Sequence, residues 1–211
     1  MKVAICMPSR GLIHSRVIER LLPTYDRTDS KIFFTHDKGI PDCFNDLTQR
    51  ALEWGADILW FIEDDNGIED DTYDKMIKYI DEYPVVTHNY PINPTHNVIQ
   101  DKDDRLFFGT GCTMIRRDIL EGYTWQAKYN YALPDYRRIE IPEKARSRMY
   151  GMHDIEFAVY CYNNKIPIKA LREHIAHYKV EEMGDMHKNK GWHIIYDIRD
   201  KIITSKSSAQ E

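Results

Sequence analysis

The sequence predicts an α/β fold with a mostly parallel central sheet flanked by helices, and three observations carry that prediction. Short apolar runs alternate with amphipathic helical patterns along the first half of the chain, the alternation that builds parallel sheets with right-handed crossovers. The run Ile58, Leu59, Trp60, Phe61, Ile62 is continuous rather than alternating, as expected of a strand covered on both faces. It stops abruptly at three consecutive acids, Glu63, Asp64 and Asp65. These acids sit at the carboxyl end of the strand, where open α/β sheets bind ligands.

Each element follows from its own residues. Residues 3–7 read as a first buried strand broken by Pro8, and Ser9, Arg10 and Gly11 form a turn into an amphipathic helix over residues 13–22. Neither a GxGxxG nor a GxxxxGK[ST] pattern is present, which removes support for a dinucleotide fingerprint or a P-loop. Residues 31–35 form a second strand. From Asp42 the pattern is helical, with Phe44, Leu47, Ala51 and Trp54 on one face and Gly55 as the C-cap.

After the acidic strand, residues 70–83 read as a helix with Tyr73, Met76, Ile77 and Ile80 on its apolar face. Its acidic start suits the helix dipole, so Asp70 and Asp71 are not assigned to a site. A short strand over 85–87 precedes a polar, irregular stretch over 88–104, a length more typical of functional loops than of idle ones. Gly109, Thr110 and Gly111 then lead into a strand over 112–115 and a short helix opening near Asp118. Two readings fit the glycine pair: a close approach of backbone to a ligand, or a bulge at a sheet edge. Residues 125–148, rich in Tyr, Arg and Lys, read as an excursion beside the site. Its basic residues Arg137, Arg138, Lys144, Arg146 and Arg148 are balanced by Asp135, Glu140 and Glu143 as a solvated face. Asp154 is the N-cap or first residue of a helix carrying Ile155, Ala158, Val159 and Tyr162 on one face. A last strand over 166–170 is followed by His174 and His177, which share a helix face or flank a turn. Residues 192–203 read as a closing amphipathic helix, and 205–211 as a frayed tail.

In a strand, Glu63 and Asp65 would point to one side and Asp64 to the other. Two carboxylates on one side repel unless a cation lies between them, and hard divalent cations prefer oxygen ligands. The alternative is that the acids merely cap the next helix. At 211 residues the chain is expected to form one domain over residues 1–204. A net charge of -5 gives no overall attraction to nucleic acid or anionic membranes. No apolar run approaches the roughly 20 residues of a membrane helix. Cys6, Cys43, Cys112 and Cys161 are scattered without CxxC spacing, so they are expected to be free and buried in a reducing cytoplasm.

Taken in order, these motifs resemble the GT-A class of nucleotide-sugar glycosyltransferases, nearest the inverting family-2 type. VAICMPSRG resembles the first strand and turn that hold the nucleotide, and GADILWFIEDD the strand ending in the DxD motif. FFGTGCTMIRRDIL is similar to the segment before the acceptor site, GMHDIEFAVYCYNNKIPI to the "ED" motif and its helix, and HIAHYK to the late metal histidine. The resemblance implies a Rossmann-like nucleotide-diphospho-sugar transferase fold, with a donor half over about 1–105 and an acceptor half over about 106–204. It places Pro8, Ser9, Arg10, Asp37, Asn45 and Asp64 on the nucleotide side. Glu63, Asp65 and one of His174 or His177 (His177 is preferred) hold a divalent metal. Gly109, Thr110, Gly111 and His153 line the acceptor side, and Asp154 is the general base.

The sequence departs from the pattern at three places. Glu63 stands at the first DxD position, His153 replaces the first acid of "ED", and Phe44–Asn45 stands where an Arg–Asn pair is common, leaving Arg10 or Arg50 to supply a basic contact. Mixed carboxylate and imidazole ligation suits Mn²⁺ better than Mg²⁺. The expected activity is metal-dependent transfer from a UDP-sugar or related donor to a glycan, small molecule, protein or modified DNA base. Asp154, at a helix N-terminus, is expected to have a lowered pKa. The rival readings are a catalytically inactive binding module of the same fold and a metal-dependent nucleotidyltransferase.

Overall fold

The computed structural model describes residues 1–9, 13–26, 28–36, 38–92, 95–100, 106–126, 132–133, 137–138, 153–182 and 193–197. Arg10 and Asp37, and most of the 125–148 excursion, lie outside the described residues.

Strand β1 (Val3–Pro8) is followed by α1 (Ser15–Asp26), β2 (Ser30–Thr35), α2 (Asp42–Trp54) and β3 (Ile58–Ile62). The chain continues through β4 (Asn66–Gly67), α3 (Thr72–Ile77), β5 (Val85–Asn89), β6 (Pro91–Ile92), β7 (Thr95–His96), β8 (Val98–Gln100) and β9 (Leu106–Phe108). Then come β10 (Cys112–Arg116), α4 (Arg117–Leu120), β11 (Ala132–Leu133), β12 (Arg137–Arg138), α5 (His153–Asn163), β13 (Ile168–His174), β14 (Ala176–Glu182) and β15 (His193–Asp197). The main sheet has the order β13-β5-β10-β3-β1-β2. β1 pairs in parallel with β2 and β3, and β13 with β5, whereas β10 runs antiparallel to β3 and β5. The sheet is mostly parallel, as predicted, with one reversed strand near its middle.

Period-two alternation divides the core between the two faces. Ala4, Cys6, Leu59 and Phe61 pack with Phe44, Leu47, Ala51, Trp125, Phe157 and Cys161 under α2 and α5. Val3, Ile5, Met7, Ile58, Trp60 and Ile62 pack with Val17, Leu21 and Met76 under α1 and α3. β3 is buried along its whole length because both sets need it. Truncating Phe61 to Ala should therefore cost about 3–5 kcal/mol. Gly55 closes α2 in the left-handed conformation, at φ 84°, as its position in the sequence predicted. All four cysteines are free and buried. No helix among the described residues is long and apolar enough to cross a membrane.

Three expectations are corrected. The helix expected over 70–83 is the short α3, and its residues past Lys78 turn rather than continue the spiral. The stretch expected to be irregular over 88–104 contains the antiparallel pairs β6–β7 and β8–β9. The closing helix expected over 192–203 contains the strand β15, which pairs antiparallel with β14. Its core, His-Ile-Ile-Tyr-Asp, has the β-branched and aromatic residues that suit a strand, and a partner edge decided against the helical period.

Candidate functional site

β3 ends at Ile62, and the acids that follow occupy a tight turn rather than continued strand. The Glu63 N–H donates to the Gly111 carbonyl (2.9 Å) and the Asn66 N–H to the Glu63 carbonyl (3.2 Å). The carbonyls of Asp64 and Asp65 receive the N–H groups of His14 (3.0 Å) and Tyr178 (2.8 Å). The turn is thus pinned by β10, α1's leading segment and β14. The His14 ring also stacks on Tyr178, with centroids 4.6 Å apart.

β14 brings the late histidine to the acids. After His174 the chain leaves β13, and Ala176 and His177 pair with Gly67 and Asn66 of β4. His174 instead aligns with Asn89 at the end of β13. Gly67 is required here, since a Cβ at that position would lie 2.6 Å from the Tyr178 ring. His177 is buried, and its Nδ1 lies 2.7 Å from the Pro91 carbonyl. A carbonyl only accepts, so Nδ1 carries the proton. Nε2 then faces Asp65 Oδ2 at 3.4 Å. A neutral ring would set two acceptors against each other, and a proton or a cation between them resolves the conflict. A backbone carbonyl that accepts from the other ring nitrogen and fixes the tautomer is the usual setting of a metal-binding imidazole, so the pair fits a divalent cation.

Glu63 does not join this pair. Its Oε2 lies 3.4 Å from Asn66 Nδ2, which also donates to the Gly111 carbonyl at 3.3 Å. Among the described residues no three His, Cys, Asp or Glu side chains form a group able to hold a metal ion. Of the expected ligand set of Glu63, Asp65 and His177, the structure brings Asp65 and His177 together and leaves Glu63 against Asn66, because the chain turns after Ile62 and strand alternation no longer governs where Asp65 points.

Beside its bond to the Glu63 N–H, the Gly109–Gly111 turn meets Tyr90, which the sequence did not single out. Tyr90 is buried, and its hydroxyl accepts the Gly111 N–H at 3.2 Å. A Cβ on Gly109 would lie 2.3 Å from the Tyr90 hydroxyl, and one on Gly111 would lie 2.7 Å from it. The close approach that these glycines permit is therefore that of a phenol. Burial, then the charges of Glu63, Asp154 and Asp65, push the Tyr90 hydroxyl well above its usual pKa, so it stays protonated. Asn97 staples this side chain's backbone: its Oδ1 accepts the Tyr90 N–H at 2.7 Å and its Nδ2 donates to the His88 carbonyl at 3.2 Å.

At the start of α5 the two candidate residues part. The His153 ring is buried against Phe44, with centroids 4.1 Å apart, and its Nε2 lies 2.9 Å from Thr110 Oγ1. Burial pushes its pKa down to about 3. In the structure it holds Thr110, itself buried, from the core side. Asp154 is partly exposed, and its Oδ1 accepts the Ile155 N–H at 2.8 Å. Burial pushes its carboxyl up to about 7, against the opposing effect of backbone N–H groups. The expectation of a lowered pKa is corrected: desolvation outweighs the helix N-terminus.

Of the residues expected on the nucleotide side, Pro8 ends β1 opposite Thr35 of β2, and Ser9 beyond it is buried. Asp64 is buried in the turn. Asn45 faces elsewhere: its side chain exchanges two hydrogen bonds with the Trp125 backbone, at 3.1 and 2.8 Å. Arg50 is committed to the Phe34 carbonyl (2.8 Å) and Asp46 (3.1 Å).

No protein-family model and no curated protein matches the chain. Among solved structures it is similar to A197 from STIV, with a TM-score of 0.55 at 21% identity over 84% of this chain and 85% of that one. It is also similar to S. aureus TarS 1–349 in complex with UDP-GlcNAc, with a TM-score of 0.54 at 13% identity over 83% of this chain. That match spans 57% of the TarS chain. A TarS structure in complex with UDP gives the same TM-score. Such identities establish architecture, and the chain has the GT-A-like α/β fold that its motif order implied.

Proposed function

We propose that this chain is a metal-dependent glycosyltransferase that moves a sugar from a nucleotide-diphosphate donor, a UDP-sugar, to an acceptor hydroxyl with inversion. The observation that carries the reading is the Asp65–His177 pair at 3.4 Å, set at the carboxyl end of β3. It lies in a fold shared with TarS, whose complexes contain UDP-GlcNAc and UDP.

Asp65 and His177 would hold the cation, Mn²⁺ in preference to Mg²⁺ for a mixed carboxylate–imidazole donor set. When bound, it would neutralise the charge that develops on the departing diphosphate. The Pro91 carbonyl, by taking the Nδ1 proton, makes Nε2 the better donor. Asp154 would accept the proton of the acceptor hydroxyl as its oxygen bonds to the anomeric carbon. The bond from that carbon to the diphosphate breaks, and the nucleoside diphosphate leaves with the electron pair. A carboxylate near pKa 7 is a stronger base than an ordinary one and is still about half ionised at neutral pH. The Gly109–Gly111 turn would form the acceptor wall. The acceptor is a glycan, a small molecule, a protein or a modified DNA base.

A second reading, a binding module without transfer, draws on one observation: Glu63 is tied to Asn66 rather than to the Asp65–His177 pair. Incubating the protein with UDP-GlcNAc and Mn²⁺ and separating the products decides between them. Released UDP that disappears in Asp154→Asn, with donor binding kept, is the transferase outcome. Binding without turnover favours the module, and release of UMP would indicate nucleotidyl chemistry. The Asp154→Asn change should lower the rate by about 10²–10⁴-fold.

A further inference from the structure

One side chain, Tyr90, meets both the Gly109–Gly111 turn and the His177 ring. The Tyr90 hydroxyl lies in the space left by the missing Cβ atoms of Gly109 and Gly111. A Cβ on Gly111 would be 2.8 Å from Glu63 Oε2 as well as 2.7 Å from the phenol oxygen, so the phenol and the acid face the same glycine. The Tyr90 ring meets the His177 imidazole edge to face, with centroids 5.5 Å apart and planes at 73°. Its backbone is stapled by Asn97, whose own carbonyl takes the Gly109 N–H at 3.1 Å. Asn97 thereby holds both the tyrosine and the glycine turn. A phenol that accepts one hydrogen bond keeps a proton to donate, and the acids of the site are the charges around it.

We propose that Tyr90 is a positioning residue for the transfer step, its hydroxyl holding the Gly109–Gly111 turn at a set place beside Glu63 while its ring buttresses His177. Tyr90 thereby adds a buried side chain to the hydrogen bonds from Glu63 and Asn66 to the Gly111 carbonyl that register the acceptor wall to the donor-side pair. Misplacing reacting groups by a fraction of an ångström is costly in rate while leaving ground-state binding largely intact. This inference rests on the transferase reading.

Tyr90→Phe removes the hydroxyl and keeps the ring. With UDP-GlcNAc as donor and water as acceptor, UDP release should fall by about tenfold or more, while the affinity for UDP with Mn²⁺ stays within about threefold. A Tyr90→Phe protein that releases UDP at the wild-type rate overturns the inference, as does one whose affinity falls by the same factor as its rate. If the wild type neither binds UDP nor releases it, the transferase reading itself fails, which this first arm reports separately. A second measurement tests the seating without substrate. Gly109→Ala should lower the unfolding midpoint sharply, because its Cβ meets the phenol oxygen. The same change in the Tyr90→Phe background should cost clearly less, since the nearest remaining ring atom lies 3.2 Å away. Additive losses would contradict the proposed seating.

Discussion

His153 and Asp154 are adjacent in sequence and titrate in opposite senses. His153 is held down to about 3 and Asp154 up to about 7, both by burial. Between its native value and its unfolded value of 6.5, His153 binds a proton only in the unfolded chain, so its contribution to stability is lost as pH falls through that window. Asp154 binds a proton only in the native state between 3.8 and about 7, so its contribution is lost as pH rises. The two effects oppose each other from pH 3.8 to 6.5. Asp154→Asn should unmask the histidine, making stability fall on acidification by about 1.4 kcal/mol per pH unit. His153→Gln should leave the aspartate, and stability should then fall as pH rises from about 4 to 7. Urea midpoints measured across pH 4–7 for the two variants check the signs, and parallel slopes would refute the assignment. For catalysis, the wild-type rate should climb with pH and level off above about 7 as Asp154 ionises. The sequence placed Asp154 at a helix start but held no sign of how far the packing around that start desolvates its carboxyl. Its pKa was therefore misread.

The β3 turn, the Tyr90–Asn97 staple and the β4–β14 pair form the working element. The acids were legible because an apolar run that ends in three charges has few explanations. His177 was legible only through its resemblance to a motif, since its route to Asp65 runs through a two-residue bridge to β4 that no periodicity announces. Tyr90 and Asn97 were not legible. They lie in a stretch whose Pro and Asn content reads as loop, and their importance comes from partners distant in sequence. The glycine pair around Thr110 was the available clue, for it left room that something bulky had to fill. Asn97→Ala removes two buried side-chain hydrogen bonds and leaves the Tyr90 N–H and the His88 carbonyl without them. It should destabilise by about 2–4 kcal/mol, read as a lower denaturation midpoint with an unchanged slope. A change below about 0.5 kcal/mol would mean that water replaces the staple at little cost.

Over the whole molecule the architecture was largely legible, because all six strands of the main sheet overlap strands read from the sequence, most of them spaced by helical patterns. The reversed direction of β10 and the strand β15 were not, since strand direction and a late edge pairing depend on contacts that lie far apart in sequence. The fold places the Asp65–His177 pair where ligands bind in open sheets, and the proposed role of the pair there is to hold a cation carrying a nucleoside diphosphate. Thermal unfolding with UDP, with Mn²⁺ or with chelator, for the wild type and Asp65→Asn, tests it most directly. At about 100 times its dissociation constant the complex should add roughly 2.7 kcal/mol of stability. That gain should vanish with chelator and in Asp65→Asn. A gain that survives both would contradict the metal assignment, and no gain with UDP, GDP or CDP would contradict the donor site itself.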